Sequence, residues 1–250
     1  MDSLFQQTKI VFIVGTLSQG GAERQLFYML RTLREQGNTP TVLCLTEGEF
    51  WEPRIRALGI PVLWVGQSGS RLARLRKIIG EVRRLAPDIV QSSHFYTNLY
   101  AAIAGRVAGA SSVGAMRNDC ISEVRATGRV LGMASLKSPA LLAGNSPGGI
   151  RAALSLGVAE ERLFFLPNVV DTSLFPPSRR EPREPVVILA AGRLVEQKRL
   201  DRFVAAVARL RQHRGGAVKG LIVGEGELLP ALNLKKTKFP IPRPAKQPLD

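Results

Sequence analysis

The 250-residue chain is 45% hydrophobic and 22% charged, a balance that suits a globular protein with a real core. No apolar run approaches the ~20 residues of a membrane span, and MDSLFQQTKIVF lacks the charged head, long apolar centre and cleavage site of a secretory leader, so a cytoplasmic location is expected. Two cysteines, Cys44 and Cys120, and two histidines are too few and too scattered for a disulfide framework or a zinc site, while the formal charge of +15 leaves nucleic acid, an anionic membrane or a phosphorylated substrate as partner classes.

From Ile10 to Val14 the chain is continuously apolar, as expected of a strand covered on both faces. A Gly-rich turn follows. Leu26, Met29, Leu30 and Leu33 then repeat at helical spacing, with Gly37 placed as the C-terminal cap. Further strands are expected at Val42–Leu45, Val62–Val65, Ile89–Gln91, Val113–Ala115 and Leu141–Ala143. Helices at Leu72–Leu85, Thr97–Ala108 and Gly148–Leu156 separate them. This alternation predicts an α/β fold with a doubly wound, Rossmann-like parallel sheet, because parallel neighbours need crossover connections.

A short strand, Phe164–Leu166, runs into PNVVDTSLFPPSRREPREP, whose five prolines and clustered charges suit an interdomain crossing. A second alternation begins with a strand at Val186–Ala191, a helix at Leu200–Leu210 and a strand at Gly220–Val223. The expected layout is a Rossmann-like domain over residues 1–170, a linker over 171–185, an incomplete second Rossmann-like domain over 186–232, and a disordered basic Pro-rich tail over 233–250. A segment as short as 186–232 is marginal as an independent core, so it must dock on the first domain or remain partly unfolded.

The last 18 residues hold five basic side chains and one acidic one, which leaves most of the positive charge spread over the remainder. An arginine-rich solvated surface accounts for it as well as an anionic partner does. Nucleic acid ranks last among partners, since no zinc finger or aromatic RNA-binding motif is present. In SRLARLRKIIGEVRRL, Leu72, Leu75, Ile78, Ile79 and Val82 share one helical face, and Arg76, Lys77, Arg83 and Arg84 gather on the other. That pattern fits a helix packed on the sheet, or a basic interfacial helix in peripheral contact with an anionic membrane.

Doubly wound sheets bind ligands beyond the carboxyl ends of their strands, so the strand-to-helix turns are where function is sought. Gly20 and Gly21 open the first helix, either as a simple turn or as a place where backbone amides meet an anion. His94 follows a strand end and could exchange a proton with a sugar hydroxyl, with Asn98 one helical turn on. Arg117, Asn118 and Asp119 stand at a similar strand end, as do Asn145 and Ser146, which also suit the cap of the next helix. Arg193 and Lys198 are sharper. Two cations beside Gly192 at a strand-turn-helix mouth suit a diphosphate, with Arg offering a planar fork and Lys a mobile charge, although a solvated helix start is the bland alternative.

Taken together, GGAER at Gly20–Arg24, HFYTNLYA from His94, NS at Asn145, PNVVD at Pro167–Asp171, AAGRLVEQKRLDRF and LIVGEGELLPAL at Leu221–Leu232 resemble glycosyltransferase family 4, the retaining enzymes of two-domain GT-B architecture. The resemblance covers about Ile10 to Leu232. It implies an acceptor-binding first domain and a nucleotide-sugar-binding second one, without a metal or other cofactor. It further implies that Arg193 and Lys198 hold the donor diphosphate as catalytic cations and that Gly20 and Gly21 approach the same phosphates. His94 would contact the transferred sugar or the acceptor, Asn98, Arg117 and Asn145 would lie on the acceptor side, and Gly224 and Gly226 would shape the turn near the nucleotide. The implied acceptor is a saccharide or a lipid-linked one.

Two departures stand out. Arg199 occupies a position where the family usually has glycine, and the family's later pair of glutamates is absent. The expectation is therefore a truncated form with little transferase activity. The alternative is a non-catalytic module that binds a sugar, an acceptor or a partner.

Overall fold

Burial on both faces explains why the first strand reads as an unbroken apolar run. The computed structural model describes residues 7–175, 184–214 and 217–235. In it β1 (Lys9–Val14) sends Ile10, Phe12 and Val14 to one face, where they pack with Leu26 and Leu30 of α1 (Gly21–Glu35). Val11 and Ile13 go to the other face, against Ile78 and Val82 of α3 (Arg71–Leu85) and Ala101 and Ala104 of α4 (Asn98–Ala108). Both rows are apolar because both are covered.

Six more strands complete this sheet: β2 (Thr39–Cys44), β3 (Val62–Trp64), β4 (Ile89–Ser92), β5 (Ser111–Met116), β6 (Leu141–Gly144) and β7 (Leu163–Phe165). Their order is β3-β2-β1-β4-β5-β6-β7 and every pairing is parallel. The doubly wound sheet expected from the alternation is thus present. Consecutive strands run outward from β1 in one direction and outward from β4 in the other, which places the topological switch between β1 and β4. Gly37 adopts φ 82° just past α1, the left-handed geometry its capping position requires.

Around this sheet, three helices escape the periodicity reading. α2 (Glu52–Ala57) is a short helix with Pro53 in its first turn. α5 (Cys120–Thr127) and α6 (Arg129–Lys137) meet at Gly128, with φ 89°. The amphipathic pattern is blurred there because Val130 is 83% exposed. Cys120, Val124 and Leu136 nevertheless reach a third apolar cluster with Met116, Leu142 and Ala153, the last from α7 (Pro147–Ser155). Cys44 and Cys120 are free and buried, and burial pushes both thiols above their ordinary pKa.

The chain divides into two compact units, Met1–Asp171 and Thr172–Asp250. In the second, β8 (Val186–Ala191) and β9 (Val218–Val223) pair in parallel along their whole length, and α8 (Leu200–Arg214) lays Leu200 and Val207 inward. Leu210, the last residue of the expected helix, is exposed, and α8 continues past it to Arg214. α9 (Leu229–Lys235) runs three residues into the stretch expected to lack regular structure; Leu228, Leu229 and Leu232 continue a helical spacing and Pro230 suits a first turn. Positions 176–183 of the expected linker and 236–250 of the expected tail lie outside the described residues.

The two units differ in their cores. Of twelve large, fully buried side chains among the described residues, eleven belong to the first unit and only Leu194 to the second. Each contributes roughly 1.5–3 kcal/mol of apolar burial, and Val186, Val187, Leu189 and Val223 of β8 and β9 remain exposed. Hydrogen exchange should reflect this. Amides of β1, β4 and β5 are expected to exchange at least roughly 100-fold more slowly than those of β8 and β9. Equal protection in both sheets would contradict this account of the cores.

Candidate functional site

At the carboxyl edge of the first sheet the strands diverge, and backbone groups that lose a neighbouring strand take side-chain partners instead. Where β1 and β4 part, Ser93 N–H still donates to Ile13 O (3.1 Å), but Gly15 N–H donates to His94 Nδ1 (3.1 Å). Thr97 anchors the short 3-10 turn Phe95–Thr97 by donating from Oγ1 to His94 O (2.8 Å). His94 Nε2 lies 3.3 Å from Glu23 Oε1 in the first turn of α1, and the Tyr96 ring stacks on the imidazole with centroids 5.4 Å apart. A Cβ on Gly15 would overlap the Tyr96 hydroxyl, so glycine is what admits that ring. Burial, then the nearby Glu23 carboxylate, pushes the Tyr96 hydroxyl up to about 12.

Glu49, on the loop after β2, draws the β1 turn together. It accepts from Thr16 Oγ1 (2.9 Å), Thr46 Oγ1 (2.6 Å) and Leu17 N–H. Burial opposes its ionisation, but these donors outweigh burial and hold the carboxyl below its ordinary value.

Asn98 is fully buried, and its position is structural in character. Its Oδ1 accepts from Ala115 N–H (2.8 Å) and from Ser92 Oγ, and its Nδ2 donates to Ala115 O (3.2 Å). The β4–β5 pairing runs from Ile89↔Ser111 to Gln91↔Val113, and Asn98 takes over where it ends. Asn145 similarly donates from Nδ2 to Arg117 O (3.1 Å), while Ser146 Oγ caps α7 by accepting from Gly149 N–H (3.0 Å). Asp119 caps α5, with Ser122 Oγ donating to it at 2.6 Å. Arg117 Nε and Glu123 Oε2 are buried without a hydrogen-bond partner among the described residues. Burial pulls the Arg117 guanidinium down and pushes the Glu123 carboxyl up.

The paired glycines differ from one another. A Cβ on Gly20 would strike the Glu23 carboxylate, whereas Gly21 faces open space. Gln25 of the same helix holds the PNVVD segment in a two-bond clamp, Nε2 to Val169 O and Val169 N–H to Oε1, both 2.8 Å, and Arg31 pairs with Asp171 at 3.3 Å.

In the second unit, the turns after β8 and β9 interlock. Gly192 N–H donates to Val223 O (3.0 Å), Leu194 N–H to Glu225 O (2.7 Å) and Leu228 N–H to Leu194 O (3.0 Å). A Cβ on Gly224 would overlap the Gly192 carbonyl, and one on Gly226 the Leu194 backbone, so these glycines permit two turns to touch. Arg193 and Lys198 are both exposed at this mouth, and the Lys198 chain folds back to within 3.9 Å of the space above Gly192. Neither forms an ion pair among the described residues, whereas neighbouring Arg199 is held by Asp201 (2.9 Å). Arg199 has φ 48°, a left-handed conformation that explains why glycine would be at ease there. Among the described residues no three His, Cys, Asp or Glu side chains group to hold a metal ion.

Glu23 and Glu49 were not singled out from sequence. The glutamate inside GGAER was the available cue for the first, and no motif marks the second.

The family model for Glycosyltransferase Family 4 matches residues 19–174. No curated protein matches the chain. Among solved structures, Anabaena Alr3699/HepE in complex with UDP-glucose superposes with a TM-score of 0.74 at 19% identity, covering 92% of this chain and 66% of that one. The lipopolysaccharide outer core galactosyltransferase WaaB gives 0.65 at 17%, with 92% and 64% covered. A glycosyltransferase from Rickettsia africae gives 0.69 at 15%, with 93% and 64% covered. These likenesses establish the fold, and the chain spans 66% or less of the length of these three structures.

The Glu49 cluster has a measurable signature. Its lowered folded pKa contributes stability that is fully present above the ordinary glutamate value, about 4.3, and is lost as pH falls through the folded value. Glu49→Gln should therefore cost about 1–2 kcal/mol in urea unfolding near neutral pH, and the gap to the unsubstituted chain should narrow under acid. A gap that stays constant with pH would rule out the ionised cluster.

Proposed function

The chain belongs to glycosyltransferase family 4, and from that premise we propose that it serves transfer of a sugar from a nucleotide-sugar donor to a saccharide or lipid-linked acceptor, with retention at the anomeric carbon. The observation that carries this reading is the pair Arg193 and Lys198, two exposed cations without carboxylate partners among the described residues, set where β8 opens toward α8. A diphosphate leaving group gains negative charge as its bond to the sugar breaks, and a fixed guanidinium and ammonium neutralise that charge without a metal. UDP-glucose, bound in the Anabaena neighbour, is a reasonable first donor to test. His94, Arg117 and Asn145 stand at the carboxyl edge of the first sheet, the side where an acceptor is proposed to sit, and the buried Asn98 supports that edge rather than reaching a ligand.

Turnover by these 250 residues alone is proposed to be low. Arg193 and Lys198 are solvent-screened, and the described residues of the second unit offer few further groups to enclose a sugar. A non-catalytic module that binds an acceptor or partner is the competing reading. It gains if the chain takes up saccharides but no nucleotide sugar.

A second contact is proposed for α3, as a cytoplasmic protein's peripheral attachment to an anionic membrane. Ile78 and Val82 are consumed by the core, but Leu72 is 57% exposed beside exposed Arg71, Arg76 and Lys77. Such a rim can touch lipid while the helix stays packed.

Two measurements test these proposals. Isothermal titration with UDP-glucose and a panel of other nucleotide sugars should give a Kd that rises roughly 10- to 100-fold in Arg193→Ala and in Lys198→Ala, the loss expected for a charged hydrogen bond. Unchanged binding would remove the pair from the donor site. Co-sedimentation with phosphatidylserine vesicles should fall in a charge-reversed Arg71, Arg76 and Lys77 variant, and an unchanged pellet would exclude α3 as the contact.

A further inference from the structure

Glu23 is only 7% exposed, yet it stands in the first turn of α1 with its carboxylate turned toward the sheet. A glutamate at the third helical position commonly reaches back to the N-cap N–H. Here Gly20 N–H donates to Ser18 O instead (2.9 Å), and Glu23 Oε1 turns to His94 Nε2 at 3.3 Å. The carboxylate can lie over the N-cap only because Gly20 lacks a Cβ, which would otherwise overlap Oε2. The glycine and the glutamate of GGAER are thus two parts of one arrangement.

The opposite side of the imidazole fixes its protonation pattern. Gly15 N–H points at Nδ1 (3.1 Å), and a backbone N–H can only donate. Nδ1 must therefore be the acceptor, and the ring's one hydrogen resides on Nε2, directed at the Glu23 carboxylate. Thr97, which donates to the His94 carbonyl, and Tyr96, stacked on the ring, hold the residue in place from its own turn. Glu49 and Glu123 are the further carboxylates nearby, whose ionisation a positive charge on His94 would favour.

We propose that Glu23 is the positioning residue of His94: it holds the ring where Gly15 N–H meets Nδ1, so that the imidazole stays the neutral Nε2–H tautomer with its N–H beside a carboxylate. A hydroxyl both donates and accepts. One that enters between the two groups can accept from Nε2–H and donate to Glu23, and the 3.3 Å separation is longer than a tight charge-assisted bond, so the pair exchanges partners at little cost. The ligand class this fits is a sugar or other polyol. That consequence rests on the family reading of His94 as a sugar contact, whereas the tautomer assignment stands on geometry alone.

Nitrogen NMR of isotope-labelled histidine in the full chain tests it, with His94 distinguished from His213 by a His213→Gln control. The unsubstituted chain should show His94 as a single Nε2–H tautomer. Glu23→Ala, and Glu23→Asp with its carboxylate one methylene short, should give a mixture of tautomers. Glu23→Gln, whose amide oxygen still accepts from Nε2–H, should restore the single form. If Glu23→Ala fails to fold, the Asp and Gln variants make the same comparison. A single, unshifted Nε2–H signal in both the Ala and Asp variants, or in Asp alone where Ala does not fold, would overturn the proposal, because Gly15 alone would then suffice. Titration with UDP-glucose separates the two levels. The His94 Nε2 signal should move in the unsubstituted chain and in Glu23→Gln, and respond at about tenfold higher ligand concentration in Glu23→Asp. A fixed tautomer that ignores UDP-glucose would overturn the reading of His94 as a contact of the transferred sugar while leaving the positioning role intact.

Discussion

A parallel sheet covered on both faces has nowhere to place polar chemistry except along its edges, and in this protein that constraint governs the rest. β1 spends Ile10 to Val14 entirely on burial, so the first residues able to do anything else are Gly15 and those that follow. At that edge the strands separate, their backbone groups lose partners, and something must replace them. His94 receives Gly15 N–H, Asn98 holds both ends of the Ala115 peptide edge, and Glu49 collects Leu17 N–H. Side chains that look like chemistry in sequence are thus first the closure of the sheet.

That double duty orders the conspicuous residues. Asn98 is consumed by closure. His94 has both ring nitrogens engaged, and any ligand it meets must compete with Glu23 for Nε2–H. Gly20 is open to a neighbour, but the neighbour is the Glu23 carboxylate, a poor companion for phosphate. In the second unit, Arg193 and Lys198, without carboxylate partners among the described residues, rise from a turn that Gly192, Gly224 and Gly226 allow to interlock with its neighbour.

How much could be read beforehand followed from the kind of physical cue each feature leaves. Strands buried on both faces appear as apolar runs, and α1, α3 and α4 as periodic ones, so the doubly wound sheet was legible from residues such as Phe12, Leu30 and Val82. α5 and α6 left no such trace, since exposed Val130 breaks the polar face and Gly132 packs directly on the Val124 backbone, a contact that periodicity cannot register. Arg199 was conspicuous as a non-glycine, and its left-handed φ supplies the reason.

By itself, the sequence determined the alternation of strand and helix, the family resemblance carried by GGAER, PNVVD and GRLVEQK, and the positions of the turns at which function had to lie. These depend on local periodicity and on the order of residue types along the chain. Only the tertiary structure decided which turn residues are spent on closing the sheet, that Glu23 answers His94 across 71 positions of sequence, and that the Glu23 carboxylate lies where a Cβ on Gly20 would stand. Those assignments depend on who stands opposite whom at the edge of the sheet, and strand order sets that through pairings distant in sequence.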